Sequence, residues 1–101
     1  MAQPIIPKRR LITEKNNLIE IVAWKVPKSK SYPEGIKYSF AFVHGDKRII
    51  AFDNFNNEGH HKHYLDKKEE HKFKSLEDTA DQFFTLVEKF EETDYKGDEN
   101  D

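Results

Sequence analysis

No cysteine occurs among the 101 residues, which excludes disulfide staples, thiolate metal sites and a cysteine nucleophile. Long apolar runs are missing too. Nothing approaches the ~18 apolar residues of a membrane-spanning helix, and the two apolar residues between Pro4 and Pro7 fall short of the roughly 7–15 that a signal peptide uses. A soluble, cytoplasmic protein is expected. Hydrophobic residues are scarce at 36% and charged residues abundant at 36%, against about 45–50% and about 25% in ordinary globular chains. The core must therefore be built from a few large side chains, and eight Phe, four Tyr and one Trp supply them. Phosphate-loop, nucleophile-elbow and H-E-x-x-H patterns are absent, which argues against nucleotide-driven and serine-hydrolase chemistry. The length suits one α+β domain over residues 1–93. Residues 94–101, polar and without apolar periodicity, are expected to form a disordered acidic tail.

The formal charge of −2 conceals an asymmetry. Residues 1–74 hold 15 Lys and Arg against 9 Asp and Glu, whereas residues 75–101 hold 2 Lys against 10 acidic residues. The first part suits a polyanion, and the second is a solvated helix face or a shield for the first.

Residues 18–26 are β-branched and aromatic and end at Pro27, which lacks a ladder donor, so they read as a strand with Trp24 in its core. Residues 10–15, before an Asn16-Asn17 turn, are its expected hairpin partner. Residues 28–35 are turn and linker chemistry. Over residues 36–44 a period of two puts Ile36, Tyr38, Phe40 and Phe42 on the core face. A turn at Gly45-Asp46 returns the chain through a strand over residues 48–53, where Phe52 shares the core face with Ile50. Two polar extended pieces, 61–65 and 70–73, are expected to form an edge hairpin around Asp66-Lys67-Lys68. Ser75 caps a helix whose Leu76, Ala80, Phe83, Phe84, Val87 and Phe90 form one face. The fold class that follows is α+β: an antiparallel sheet of four to six strands with one C-terminal amphipathic helix packed on one face.

Gly59-His60-His61-Lys62-His63 stands out, with three of the chain's five histidines in four positions. In an extended segment His61 and His63 share one side, with Cα atoms roughly 7 Å apart, and His60 faces the other. Three readings fit. The pair could ligate a metal with Asp53 or Glu58 as an oxygen donor. It could act as acid and base on a phosphodiester beside a ribose 2′-hydroxyl, with Arg48 and Lys62 stabilising phosphate charge. Or both are solvated turn histidines, or histidines satisfied by neighbouring carbonyls. Asp53-Asn54 either closes the strand as a turn or orients an imidazole. Phe55, in a polar loop, is a candidate for stacking on bases. His44 and His71 receive no role.

The order of features resembles the TumE-type toxins, small bacterial and archaeal proteins encoded beside a helix-turn-helix antitoxin. The resemblance runs over about residues 17–90. It rests on Trp24, the aromatic strand Tyr38-Ser39-Phe40-Ala41-Phe42, Arg48 leading to Phe52-Asp53-Asn54, then Gly59-His60-His61-Lys62-His63, Glu69, Phe73 and Asp81-Gln82-Phe83. His71 stands where the family pattern leads one to expect Tyr, and Asn57 where it leads one to expect Gly. The resemblance implies a growth-inhibiting toxin neutralised by its partner and acting on RNA, with Arg48, Asp53, Asn54, His61, Lys62 and His63 at motif positions. The expectation is thus a toxin that binds RNA and cleaves it without metal or other cofactor. Its catalytic residues are His61, His63 and Asp53, and Arg48, Lys62, Asn54 and Phe55 bind substrate. The alternatives are a non-enzymatic nucleic-acid or protein binding module and a metal-dependent nuclease.

Overall fold

The computed structural model describes residues 3–55 and 59–99, with helix side chains described as far as Glu92. Asn57 and Glu58 lie outside the described residues; of the expected tail at 94–101, the backbone of residues 94–99 continues the helix that begins at Leu76, and the last two residues lie outside. Six strands, β1 (Gln3–Ile12), β2 (Leu18–Lys25), β3 (Ile36–His44), β4 (Lys47–Asp53), β5 (His61–Tyr64) and β6 (Lys67–Glu70), precede one helix, α1 (Leu76–Glu99). Each strand pairs antiparallel with the next, so the sheet is a meander in the order β1-β2-β3-β4-β5-β6. The fold is α+β. No helix among the described residues is long and apolar enough to cross a membrane.

Alternation along β3 decides the two faces. Tyr38, Phe40 and Phe42 are buried on the helix side together with Ile50 and Phe52 of β4 and Ile19 and Ala23 of β2. The helix closes this face with Phe83, Val87 and Phe90. Ring contacts knit the layers: Phe40 to Phe83 at 5.8 Å, Phe42 edge-on to Phe90 at 5.5 Å, and Phe52 edge-on to Phe83 at 6.3 Å. At the helix start the Asp78 N–H donates to Ser75 Oγ at 2.9 Å, with Glu77 and Asp78 in the first turn, as a capped, acid-led N-terminus requires.

Four local expectations need correction. The first strand begins at Gln3 and ends at Ile12, instead of spanning 10–15. Pro4 and Pro7 are tolerated because β1 is an outer strand with only one paired side. Thr13 to Asn17 make the turn, through Thr13 N–H to the Asn17 carbonyl at 2.8 Å and Asn16 at φ 67°. The polar hairpin is tighter than expected. It turns at Leu65-Asp66, with Leu65 at φ 57°, and β6 ends at Glu70. Residues 71–73 leave the sheet because His71 and Phe73 pack inward, His71 edge-on to Phe52 at 5.0 Å and Phe73 stacked on Tyr38 at 5.7 Å.

The helix stripe is also rotated. Phe84 is 37% exposed, whereas Thr79, at 0%, takes a core position by hydrogen bonding His71 Nε2 through Oγ1 at 2.8 Å. The buried and half-buried set is Leu76, Thr79, Ala80, Phe83, Leu86, Val87 and Phe90, a regular three-and-four spacing that leaves Phe84 to one side. Finally, Trp24 is not a core residue. It pairs with Lys37 and stands half-buried on the sheet face opposite the helix.

Candidate active site on the open sheet face

The face away from α1 carries the chemistry. Register places Asp53 opposite both Ser39 and His61, and Ala51 opposite His63. Alternation then turns Ser39, Asp53, His61 and His63 to one side. Arg48 reaches this face by an irregularity. Phe42 pairs with Ile50 but Val43 pairs with Arg48, so Ile49 is an extra residue in β4. Without that bulge, strict alternation would send Arg48 towards the helix. Lys68, opposite His63 in the β5–β6 hairpin, joins from the other side. Together with Phe55 these residues line a cleft of about 280 Å³.

His61 is held at both ring nitrogens. Nε2 lies 3.0 Å from Asp53 Oδ1, and Nδ1 lies 3.1 Å from the Gly59 carbonyl. Both neighbours are acceptors for a ring N–H, so the imidazole is fixed in orientation from both sides. Asp53 Oδ1 is fixed in turn by the Phe55 N–H at 3.2 Å. His63 sits edge-on to His61, with ring centroids 5.4 Å apart. Burial, then the charges of Arg48 and His61, hold its imidazole below the usual histidine range, with Asp53 pulling weakly the other way. The two rings therefore differ in surroundings: His61 is held by the Asp53 carboxylate and the Gly59 carbonyl, and His63 is kept below the usual histidine range by burial and the Arg48 charge. The donor atoms of Asp53, His61 and His63 all lie within 4.8 Å of one another, compact enough for one divalent ion.

The remaining sequence candidates are dispersed. Lys62 pairs across to Phe52 and so points to the helix side, where its Nζ is 3.8 Å from Glu69 and Tyr64 and Leu86 lie nearby. Asn54 is 1% exposed, with its side chain bonded to the backbone of β3; it supports the site from beneath. Phe55 is half-buried at the cleft rim with Lys37 Nζ 4.6 Å above its ring. His60 faces away from its neighbours, its Nδ1 bonded to Tyr38 Oη at 2.9 Å and its Nε2 to Glu34 at 2.9 Å. Burial raises the Tyr38 hydroxyl well above its ordinary range, with Asp53 and Glu34 adding to it, so that phenol stays a neutral donor. His44 bonds Asn17 Oδ1 at 2.8 Å and plays no part in the cleft.

Sequence reasoning missed Ser39 and Lys68. Lys68 mirrors His63 about a two-residue turn, but Leu65 is not a residue that advertises a left-handed turn, and the pairing was hidden with it.

Comparison with known proteins adds one finding. A family model described as toxin TumE matches residues 4–91. Neither the curated proteins nor the solved structures give a match. The matched span contains β1 from Pro4 onward, the other five strands, the cleft and the packed part of the helix, and by it this chain belongs to the TumE family of toxins.

Proposed function

We propose that this toxin binds single-stranded RNA on the open sheet face and cleaves it by metal-independent transfer of protons between His63, substrate and His61. The observation that carries the reading is the unlike pair of imidazoles in one cleft, one bonded to Asp53 at 3.0 Å and the other held below the usual histidine range. His63 takes the proton of the ribose 2′-hydroxyl, and the 2′-oxygen attacks phosphorus. The 5′-oxygen leaves with the Nδ1 proton of His61, the Nε2 side of the ring being held by the Asp53 carboxylate. The products are a 2′,3′-cyclic phosphate and a free 5′-hydroxyl. Arg48 and Lys68 face the charge that builds on the non-bridging oxygens. Asp53 holds the His61 ring in orientation through its Nε2 at 3.0 Å, as an orienting carboxylate does. Toxin family membership implies an antitoxin as partner, and a helix-turn-helix protein encoded alongside is the form expected.

Replacing His63 or His61 by Gln tests this. Each is expected to reduce RNA cleavage by about 10² or more while circular dichroism and RNA affinity stay near wild type. Cleavage undiminished in the double variant would end the case for the cleft. A second reading, a metal-dependent nuclease, is favoured by the compactness of Asp53, His61 and His63. Activity abolished by EDTA and restored by a divalent ion would select it, whereas the acid–base pair is indifferent to chelator and gives a bell-shaped pH profile.

A further inference from the structure

Beside the histidine cleft the open face holds an apolar groove of about 450 Å³ that shares Ser39, Arg48 and Phe55 with it. Its origin is a size asymmetry along β3. The large residues Tyr38, Phe40 and Phe42 go to the helix side, and Ser39, Ala41 and Val43 go to the open side. The floor is therefore low and apolar, and Trp24 on β2 and Phe55 after β4 rise above it. Trp24 contributes nothing to the hydrophobic core. A large aromatic left half-exposed beside an apolar floor has a planar surface to offer.

We propose that this groove is the base-binding subsite of the RNA site, with a nucleobase adjoining the scissile phosphate lying on the apolar floor against the face of Trp24. The inference rests on the proposed RNA reading and goes beyond it by stating where a base is held. Three observations favour a nucleotide as occupant. The groove is continuous with the cleft through Arg48, so a phosphate on Arg48 puts its attached nucleoside over the groove. Cations ring it: Lys8 and Arg48 line it, and Lys37 sits over Phe55. Its carboxylate, Glu20, is paired with Arg10 at 3.3 Å, so the local field favours an anion. The volume suits a small planar ligand, and stacking on an aromatic accepts any base.

Trp24 is the chain's sole tryptophan, so its fluorescence reports on the groove alone. The full chain is titrated with fluorescein-labelled octanucleotides bearing 2′-O-methyl riboses, which lack the attacking hydroxyl and survive binding, and anisotropy and Trp emission are recorded together. The expected result is quenching of Trp24 with the same midpoint as the anisotropy change. Trp24→Ala should weaken binding by about tenfold or more, and Trp24→Phe, which keeps an aromatic face, by much less. RNA bound with Trp24 emission unchanged, or bound by folded Trp24→Ala as tightly as by wild type, overturns the subsite and leaves the RNA reading standing. No binding at low salt overturns both. Quenching by the modified RNA without cleavage of ordinary RNA upholds the subsite and removes only the chemistry. Emission that responds to the antitoxin and not to RNA makes the groove a protein contact and overturns the proposal.

Discussion

Asn54 ties the cleft to the sheet. Its Oδ1 accepts the Tyr38 N–H at 3.0 Å and its Nδ2 donates to the Ile36 carbonyl at 2.7 Å, so one side chain pins the start of β3 beneath Asp53. Asn54→Ala leaves a buried donor and acceptor unpaired and should cost about 2–4 kcal/mol in urea denaturation. Loss below about 0.5 kcal/mol would mean that water replaces the amide without penalty. His71 makes a second prediction. Burial, then the charges of His60 and Lys62, lowers its proton affinity from the ordinary value of 6.5, and His63 is shifted the same way. Below about pH 6.5 the unfolded chain binds more protons at these positions than the native one, so stability is complete above that pH and falls as pH drops towards the folded values. Thermal melts between pH 7.5 and 5 should show Tm falling, with a shallower fall in His71→Gln. A Tm that rises on acidification over this range contradicts both shifts.

The helix is held at two levels, and they differ in kind. Phe83, Val87 and Phe90 are buried against the sheet, and near the helix's far end Glu91 Oε2 accepts from Thr13 Oγ1 at 2.6 Å and Asn17 Nδ2 at 2.8 Å. The second contact ties the helix to the β1–β2 turn. Phe90, 5% exposed and edge-on to both Phe42 and His44, should cost about 3–5 kcal/mol when replaced by Ala. Phe84→Ala, at a position 37% exposed, should cost about 1 kcal/mol or less. Equal losses from the two substitutions would show that the helix face is not the one described. Chemical denaturation of the pair decides the matter without reference to activity.

Charge is divided between the two sides of the molecule. The acidic excess lies in residues 75–101 and the basic excess in residues 1–74, and the helix that begins the acidic part covers the sheet face opposite the cleft. A polyanion approaching the open face meets Lys8, Arg48 and Lys68 and is shielded by the sheet from the helix. RNA affinity should therefore fall with salt, with a log–log slope of about −0.7 per phosphate engaged on a single strand. Arg48→Gln should reduce the slope by roughly one such unit, and Lys62→Gln, on the helix side, should leave it unchanged. A slope that responds to Lys62 and not to Arg48 would move the nucleic-acid surface to the other face.

Much of this was decided by local pattern. The alternation in Ile36–His44 was strong enough to settle which side is core, because a one-residue slip would have exposed three aromatic rings. The run after Gly59 likewise determined that His61 and His63 share a side and that His60 does not, since strand geometry allows nothing else. Tertiary structure decided the rest. Whether Arg48 faces the histidines depends on the bulge at Ile49, a position with no residue type that marks a bulge in sequence. Lys68 enters the cleft and Lys62 leaves it through the hairpin register alone. Thr79 displaces Phe84 from the stripe because buried His71 offers it a hydrogen-bond partner, a pairing across eight residues that helical periodicity cannot foresee. The exposure of Trp24 was legible only when the helix had taken the opposite face, because an aromatic residue in a strand looks the same in sequence whichever side is covered.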